Sequence, residues 1–400
     1  MRRMLHREAQ PRCPSRASLL ENMADNAAAT MTSTLRDIIN FYRDDLPLAE
    51  ASTIPASWYI DARVHDLERR TVFPRAWLPA CRVEQVETGG RFVTLDLAGE
   101  PLVIVRGTDG TIRGFFNVCR HHAAAVVTSG DGVAGQFRCP YHGWTYALDG
   151  SLKGTPDFSG VCNFDRATHG LVPVDTDVWE GWVFARVERG GPALRDWLGA
   201  DLVDGLRRLG LERYTWVERR TYSLACNWKV FVDNFLDGGY HVPHVHKRLD
   251  TVLEYSEYTI ENGIRSCLQS SPLVQDGAPP EVAALRSGQR ASYYWIYPAF
   301  MINVYGTAMD TNIVVPRGVD HTDVVFDFFF SRASMSGPSG HAASITLSQQ
   351  IQEEDVAICE SVQRGLTSRA YTSGRLSVRR EAGEWLFHKL LSADLRQGLV

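Results

Sequence analysis

The sequence predicts an α+β chain in two parts. A small all-β domain comes first, and a larger domain follows in which an antiparallel sheet is joined to a long C-terminal helix. Three observations predict this. Between Gly89 and Val187, short β-prone runs alternate with Asp-Gly pairs, the signature of hairpins. Between Tyr293 and Phe330, four aromatic and β-branched runs follow one another, as in a multi-stranded antiparallel sheet. From residue 344 to 366, apolar residues recur at helical period. The 400 residues leave room for both domains, at roughly 150 residues each.

Taken in order, residues 1–45 are expected to be a poorly ordered N-terminal extension. Arg2, Arg3, Arg7, Arg12 and Arg16 sit among Ala and Ser there, which resembles an organelle transit peptide. An over-extended start, with Met23 and Met31 as later initiators, is the favoured reading, and it goes with a bacterial-type cytoplasmic location. Residues 33–45 are compatible with a short helix carrying Leu35, Ile38, Ile39 and Tyr42 on one face. Residues 46–188 form the β domain with its leading segment. Arg91–Leu95 and Pro101–Val105 are runs closed by Asp109-Gly110, and Asp149-Gly150 repeats the turn. Residues 189–400 form the second domain. It has a strand at Thr215–Leu224, a helix at Trp228–Tyr240, and strands at Tyr293–Tyr297, Phe300–Tyr305, Asn312–Val315 and Val324–Phe330. A polar loop at Ser336–Gly340 precedes the long helix.

Composition excludes several classes. A hydrophobic fraction of 44% and a charged fraction of 22% are ordinary for a soluble globular chain. A net charge of -5 gives no reason to expect nucleic acid or an anionic membrane as partner. No apolar run reaches the ~18–20 residues that a bilayer span needs.

Two pairs carry the chemistry of the first domain: Cys119-Arg120-His121 and Cys139-Pro140-Tyr141-His142. Two thiolates and two imidazoles, one of each per loop, form the ligand set of a Rieske [2Fe–2S] cluster, which passes one electron at a time. A structural zinc site uses the same residue types. Zinc fingers, however, pair their cysteines first and their histidines later. Gly143 permits a tight turn after the second pair, and Trp144 can shield the cluster from water. His122 is expected to point away. Cys13, Cys81, Cys162, Cys226, Cys267 and Cys359 show no framework spacing and read as free thiols in a reducing compartment.

A second metal site is written between Asn227 and His246. His241, His244 and His246 fall within six positions, just after Asp233 and Asp237. Two imidazoles plus a carboxylate, with open positions, form the facial triad of non-haem Fe(II) oxygenases. Spacing alone does not choose the histidines. Pro243 disfavours helix at Val242, and a bend there lets His246 converge with His241, leaving His244 as a hydrogen-bonded partner. The carboxylate should come from elsewhere. On the long helix Leu347, Ile351, Ile358 and Val362 mark a buried stripe, flanked by Glu354 and Asp355. Periodicity does not choose between these two acids, and a salt bridge to Arg364 is the plainer role for either.

These residues carry a resemblance. Asn227-Trp228-Lys229, the run from Asp233 to Pro243, Ile296 to Asn303, Met309-Asp310-Thr311-Asn312, Glu354-Asp355-Val356 and Glu360 to Gly365 resemble the oxygenase α subunits of Rieske non-haem iron oxygenases. Within them they are most similar to choline monooxygenase and its bacterial relatives. The likeness runs from about residue 45 to the end. It implies a Rieske β domain joined to a helix-grip catalytic domain, a cluster on Cys119, His121, Cys139 and His142, and a mononuclear Fe(II) on His241, His246 and Asp355. It also implies a homotrimer in which one subunit's cluster feeds its neighbour's iron. Many relatives place a bridging acid three residues before the first iron histidine. Gly238 stands there in this chain, so Asp237 from one step earlier, or Asp233, takes the role. His122-Ala123 also departs from the Arg common after the first pair.

The implied activity is insertion of one atom of O2 into a C–H bond of a choline-like quaternary ammonium compound, next to nitrogen. No Gly-x-Gly-x-x-Gly loop follows a strand, so NAD(P)H is expected to act only through a separate reductase or ferredoxin. An aromatic box for the cation is expected from Tyr293, Trp295, Tyr297, Phe300 and Tyr305, because ring quadrupoles attract quaternary ammonium groups. Hydroxylation of an aromatic ring at the same irons is the alternative. A pure electron carrier is the third reading, and the second metal site argues against it.

Overall fold

The computed structural model describes residues 33–274, 288–331 and 337–399. Residues 1–31 with Cys13, and Ser336 of the expected polar loop, lie outside the described residues.

The first domain is a seven-stranded sheet with a three-stranded sheet beside it. Strands Arg91–Leu97, Glu100–Arg106 and Ile112–Phe116 pair antiparallel in sequence, and Asp109-Gly110 turns between the last two with Gly110 at φ 81°. Phe137–Arg138, Thr145–Tyr146 and Leu152–Gly154 make the small sheet. Its loops carry Cys139 and His142, and they enclose a separate core of Phe92, Phe115, Phe137, Trp144, Tyr146 and Leu152.

The second domain is built on a seven-stranded antiparallel sheet in the order Tyr214–Leu224, Thr322–Ser331, Ala308–Pro316, Phe300–Tyr305, Arg290–Ile296, Ser266–Pro272, Thr259–Asn262. The runs expected at Asn312–Val315 and Val324–Phe330 are the inner parts of longer strands. One face is covered by helices Trp228–Leu236, Gly337–Leu366 and Ala382–Gln397. The two domains share a large core, in which Trp182 of the first sheet packs edge-on against Phe300 and Phe329 of the second. No helix of the described residues is long and apolar enough to cross a membrane.

Several expectations need correcting. Residues 35–45 are not a loose extension. Helix Leu35–Asn40 buries Ile38 and Ile39 in the main core, and Arg396 bonds Asp44 at 2.8 Å. The long helix begins at Gly337, inside the stretch expected to be a loop. Leu347 is buried and Ile351 packs beside it as expected, but the second half of the helix is rotated from the expected stripe. Gln352, Cys359, Gln363 and Leu366 face inward, whereas Ile358 and Val362 are 36% and 45% exposed. Each exposed residue precedes a buried one, so the true face lies one residue, about 100°, further round.

Candidate active site

Helix Trp228–Leu236 starts on Asn227, whose side chain accepts from the Lys229 amide. It was expected to run to Tyr240 but stops at Leu236. Gly238 and Gly239 follow at φ 67° and 65°, a conformation that favours glycine. A Cβ at Gly238 would meet the Arg380 carbonyl at 2.1 Å, so no other residue fits. This reversal turns the chain before His241. Pro243 therefore does not bend the chain at Val242. It sits in the first turn of a short helix, Val242–Val245, where its missing N–H is tolerated. That single turn brings the His241 and His246 rings to 4.8 Å between centroids.

His241, His246 and Asp355 come together with their donor atoms all within 4.8 Å of one another. Asp355 Oδ1 lies 3.1 Å from His246 Nε2 and 3.8 Å from His241 Nε2. Each Nδ1 is held by another carboxylate: Asp237 at 2.6 Å from His241, Glu354 at 2.7 Å from His246. Carboxylates on Nδ1 leave Nε2 as the ligating nitrogen and raise its basicity. Glu354 and Asp355 thus both serve His246, from opposite sides of its ring. Burial alone would lower the His246 pKa, but its bonds to Asp355 and Glu354 prevail and hold it above the ordinary value. Asn234 donates to Asp355 Oδ1 at 2.8 Å. A mixed set of two imidazoles and one carboxylate, oriented by outer hydrogen bonds, fits a divalent iron with open positions.

His244 is exposed, and among the described residues its ring has no hydrogen-bonding partner. Asp233 stands apart from the triad. Its carboxylate accepts from the Tyr59 hydroxyl at 2.5 Å and from His388 Nε2 at 3.0 Å.

A cavity of about 110 Å³ opens onto the triad. Its floor is a row across four strands, Gln269, Tyr293, Asn303 and Asp310, which face one another in register. Tyr305, Asn312 and Phe326 extend the floor, while Phe231, Phe235, Tyr258, Ile351 and Gln352 close it from above and the sides. Of the five rings expected to form a box, Tyr293 and Tyr305 line this cavity. The other three do not. Trp295 and Tyr297 pack on Phe387 of the C-terminal helix, and Phe300 packs on Trp182 and Phe184 of the first domain. Tyr293 and Trp295 share a strand face, but different elements cover them.

In the first domain Cys119 and Cys139 are buried, at 4% and 2% exposure. The His121 and His142 rings lie 4.7 Å apart. His121 Nδ1 is buried with no hydrogen-bond partner, as a ligand atom awaiting a metal would be. Partial burial and the neighbouring His122 and His142 lower the His121 pKa, which favours the neutral, ligating imidazole. Gly143 makes its turn at φ 72°, and Trp144 stacks on His121 at 4.7 Å. His122 is exposed yet not turned away: its ring lies 4.2 Å from His121 and 5.3 Å from His142. Tyr146, not anticipated from sequence, bonds Cys119 Sγ at 3.3 Å. Burial raises its phenol well above the usual range, so it remains a donor.

Residues 76–165 match the Rieske [2Fe–2S] domain family, and residues 211–396 match the ring-hydroxylating α subunit (catalytic domain) family. The chloroplastic choline monooxygenase of Arabidopsis thaliana is 38% identical over 91% of this chain and 88% of its own length. The chain belongs to the choline monooxygenase family of Rieske oxygenases. The carnitine monooxygenase oxygenase subunit of Escherichia coli K12 is 28% identical over 86% of this chain and 94% of its own. A solved quaternary ammonium Rieske monooxygenase, studied for carnitine oxidation by gut microbiota, superposes with a TM-score of 0.78 at 26% identity, covering 88% of this chain and 98% of that one. The chain therefore carries a Rieske [2Fe–2S] domain and a non-haem iron catalytic domain, and it works with a separate electron-donating reductase.

Sequence reasoning missed the polar floor of this catalytic domain, Asn303, Asp310 and Asn312. A signal for it existed: Asp310 and Asn312 alternate inside the strand Ala308–Pro316, where period two puts them on one face.

Proposed function

We propose that this chain hydroxylates a choline-like quaternary ammonium compound, with O2 and electrons delivered singly by a reductase. In this reading Cys119, His121, Cys139 and His142 hold the [2Fe–2S] cluster, and His241, His246 and Asp355 hold the mononuclear iron. An iron bound there would supply the activation of dioxygen. The protein's part is to orient both imidazoles through Asp237 and Glu354, to turn Asp355 through Asn234, and to hold the substrate carbon in the cavity. The overall balance is R–H + O2 + 2e⁻ + 2H⁺ giving R–OH + H2O.

The observation that carries this reading is the cavity itself. One cavity is walled by the three proposed ligand residues and by the rings of Phe231, Phe235, Tyr258, Tyr293, Tyr305 and Phe326, and aromatic faces suit a quaternary cation. The relatives named for choline and carnitine favour this over hydroxylation of an arene. The expected position, next to nitrogen, needs refining for choline. Its carbinol carbon, one methylene away from nitrogen, is the one that gives betaine aldehyde hydrate, whereas attack beside nitrogen starts an N-demethylation.

A homotrimer belongs to the proposal. The exposed Ile358 and Val362 on the long helix, with Tyr240 at 48% beside His241 and Tyr141 at 63% beside His142, supply apolar surface next to both metal sites, as an interface would. In such an assembly Asp237 would bridge His241 to the neighbour's cluster. A reducing compartment such as a bacterial cytoplasm suits the cluster and the free, buried thiols of Cys81, Cys226, Cys267 and Cys359.

The test is oxygen uptake by iron-loaded protein with a surrogate reductase and NADH, with choline and a simple arene offered separately. Betaine aldehyde hydrate, stoichiometric with oxygen consumed, is the expected product. His241→Ala should abolish uptake and keep the cluster's visible spectrum. Uptake with the arene alone would overturn the reading.

A further inference from the structure

Two buried polar atoms in the wall of this cavity are not used by iron ligation. Gln352 closes the cavity from the long helix and is only 2% exposed. Its Nε2 is buried and, among the described residues, has no hydrogen-bond partner. Asn303 lies in the floor and is 5% exposed. Its Nδ2 donates to Asp310 Oδ1 at 2.7 Å and to Asn312 Oδ1 at 3.0 Å. Asn312 Nδ2 in turn donates to Asp310 Oδ1 at 3.3 Å. Both partners of Asn303 Nδ2 are therefore acceptors, which settles which way round its amide sits. Asn303 Oδ1 is left as a buried acceptor with no donor among the described residues. Buried polar atoms are nearly always paired. A bare donor above and a bare acceptor below, bordering one cavity of about 110 Å³, point to a ligand group that both accepts and donates.

A hydroxyl is such a group, with one O–H and two lone pairs. A carboxylate accepts only, and a methyl group does neither. A quaternary ammonium head has no N–H, so the two amides are of no use to it, whereas the ring faces of Phe231, Phe235 and Phe326 in the same wall suit it. The position of Gln352 also says where the hydroxyl lies. Gln352 stands three positions before Asp355 on the helix Gly337–Leu366, on the same face and about 4.5 Å along the axis. A group held by Gln352 is thus kept close to the His241, His246 and Asp355 triad.

Resting on the reading of this cavity as a quaternary ammonium site, we propose that Gln352 and Asn303 recognise the substrate's alcohol. Gln352 Nε2 donates to the hydroxyl oxygen, and the hydroxyl donates to Asn303 Oδ1. The pair selects an alcohol over a carboxylate, whose oxygen would meet Asn303 Oδ1 with no proton between them. It equally selects against an analogue without oxygen, which leaves both amides unpaired. Tethering the alcohol beside the triad presents the carbinol carbon, rather than an N-methyl group, for hydroxylation.

The test uses the wild-type oxygenase and Gln352→Met with the reductase. KM is measured for choline, and Ki for ethyltrimethylammonium, which lacks the hydroxyl, and for glycine betaine, which carries a carboxylate. In the wild type both Ki values should exceed the choline KM at least about tenfold, as loss of a hydrogen-bonded hydroxyl implies. Gln352→Met should raise the choline KM at least about tenfold and leave the Ki of ethyltrimethylammonium within about twofold. It should also divert part of the product from betaine aldehyde hydrate to formaldehyde, released by hydroxylation of an N-methyl group. An unchanged product, with choline and ethyltrimethylammonium weakened alike and the cluster spectrum and melting temperature unchanged, would make Gln352 structural and overturn the proposal. Equal binding of choline and ethyltrimethylammonium by the wild type would overturn it without any variant. Glycine betaine bound as tightly as choline would overturn the selection and leave the quaternary ammonium reading standing. Turnover of no ammonium compound would remove both.

Discussion

Asn234 Nδ2 stands 2.8 Å from Asp355 Oδ1, the same oxygen that faces His246 Nε2 at 3.1 Å. One amide thus ties the helix carrying Asp233 and Asn234 to the long helix that supplies the carboxylate. Asn234→Ala frees Asp355 to rotate. Losing such an outer partner typically weakens metal binding or activity by about 10–100-fold. Competition with a ferrous chelator should show that loss at the mononuclear site, while the cluster's visible spectrum stays. Unchanged iron retention would mean that packing alone orients Asp355.

Asp237 accepts from the Tyr240 and His241 amides as well as from His241 Nδ1. Asp237→Asn keeps the shape and removes the charge that, in the proposed iron site, makes His241 a strong ligand. We expect steady-state oxygen uptake to fall at least about tenfold, with iron and sulfide contents near those of the wild type. A variant that lost its iron outright would show Asp237 to be needed for binding rather than for turnover.

With the cluster held on Cys119 as proposed, Tyr146 is a lever on it. Its hydroxyl bonds Cys119 Sγ and so stabilises the extra negative charge of the reduced state. Tyr146→Phe removes a hydrogen bond worth about 1 kcal/mol, which for one electron is on the order of tens of mV. The midpoint potential should become more negative by that amount in a redox titration followed by electron paramagnetic resonance. A potential that stays put or rises would show that the hydroxyl does not tune the cluster.

Lys229 and Glu68 are both fully buried and meet at 2.5 Å, and Glu68 also accepts from Trp228 Nε1 at 2.8 Å. The pair fastens the helix that leads to His241 onto helix Ala62–Thr71. Burial lowers the Lys229 pKa against the opposing pull of Glu68. Removing one member of such a pair leaves an uncompensated buried charge and costs about 3–5 kcal/mol. Lys229→Met should destabilise the protein by that order in urea unfolding, and adding Glu68→Gln should recover most of it. No recovery in the double variant would mean that the loss comes from packing.

The chemistry legible in the sequence was the part that lies close together along the chain. Each Rieske loop writes its thiolate and imidazole within four residues, and three histidines crowd into six, so residue type and spacing were enough to name a cluster and an iron site. Strands and helices followed from periods of two and 3.6, because those periods are set by local backbone geometry. Period gives the phase of a face but not what covers it. Glu354 and Asp355 looked alike because only the approach of His246, more than a hundred residues earlier, gives one its Nδ1 and the other its Nε2. Tyr293 and Trp295 share a face, yet one borders the cavity and the other lies under the C-terminal helix. The second half of the long helix is turned by a residue from its expected stripe because its inner face is polar where Gln363 meets Asn227, while Ile358 and Val362 remain outside. By itself the sequence determined the two-domain order and the oxygenase class, and it supplied the residues proposed as ligands. The tertiary structure decided the partner on each ring nitrogen, the rings that form the cavity, and the placing of a buried Asp310 in its floor, because each depends on contacts between segments that no local pattern brings together.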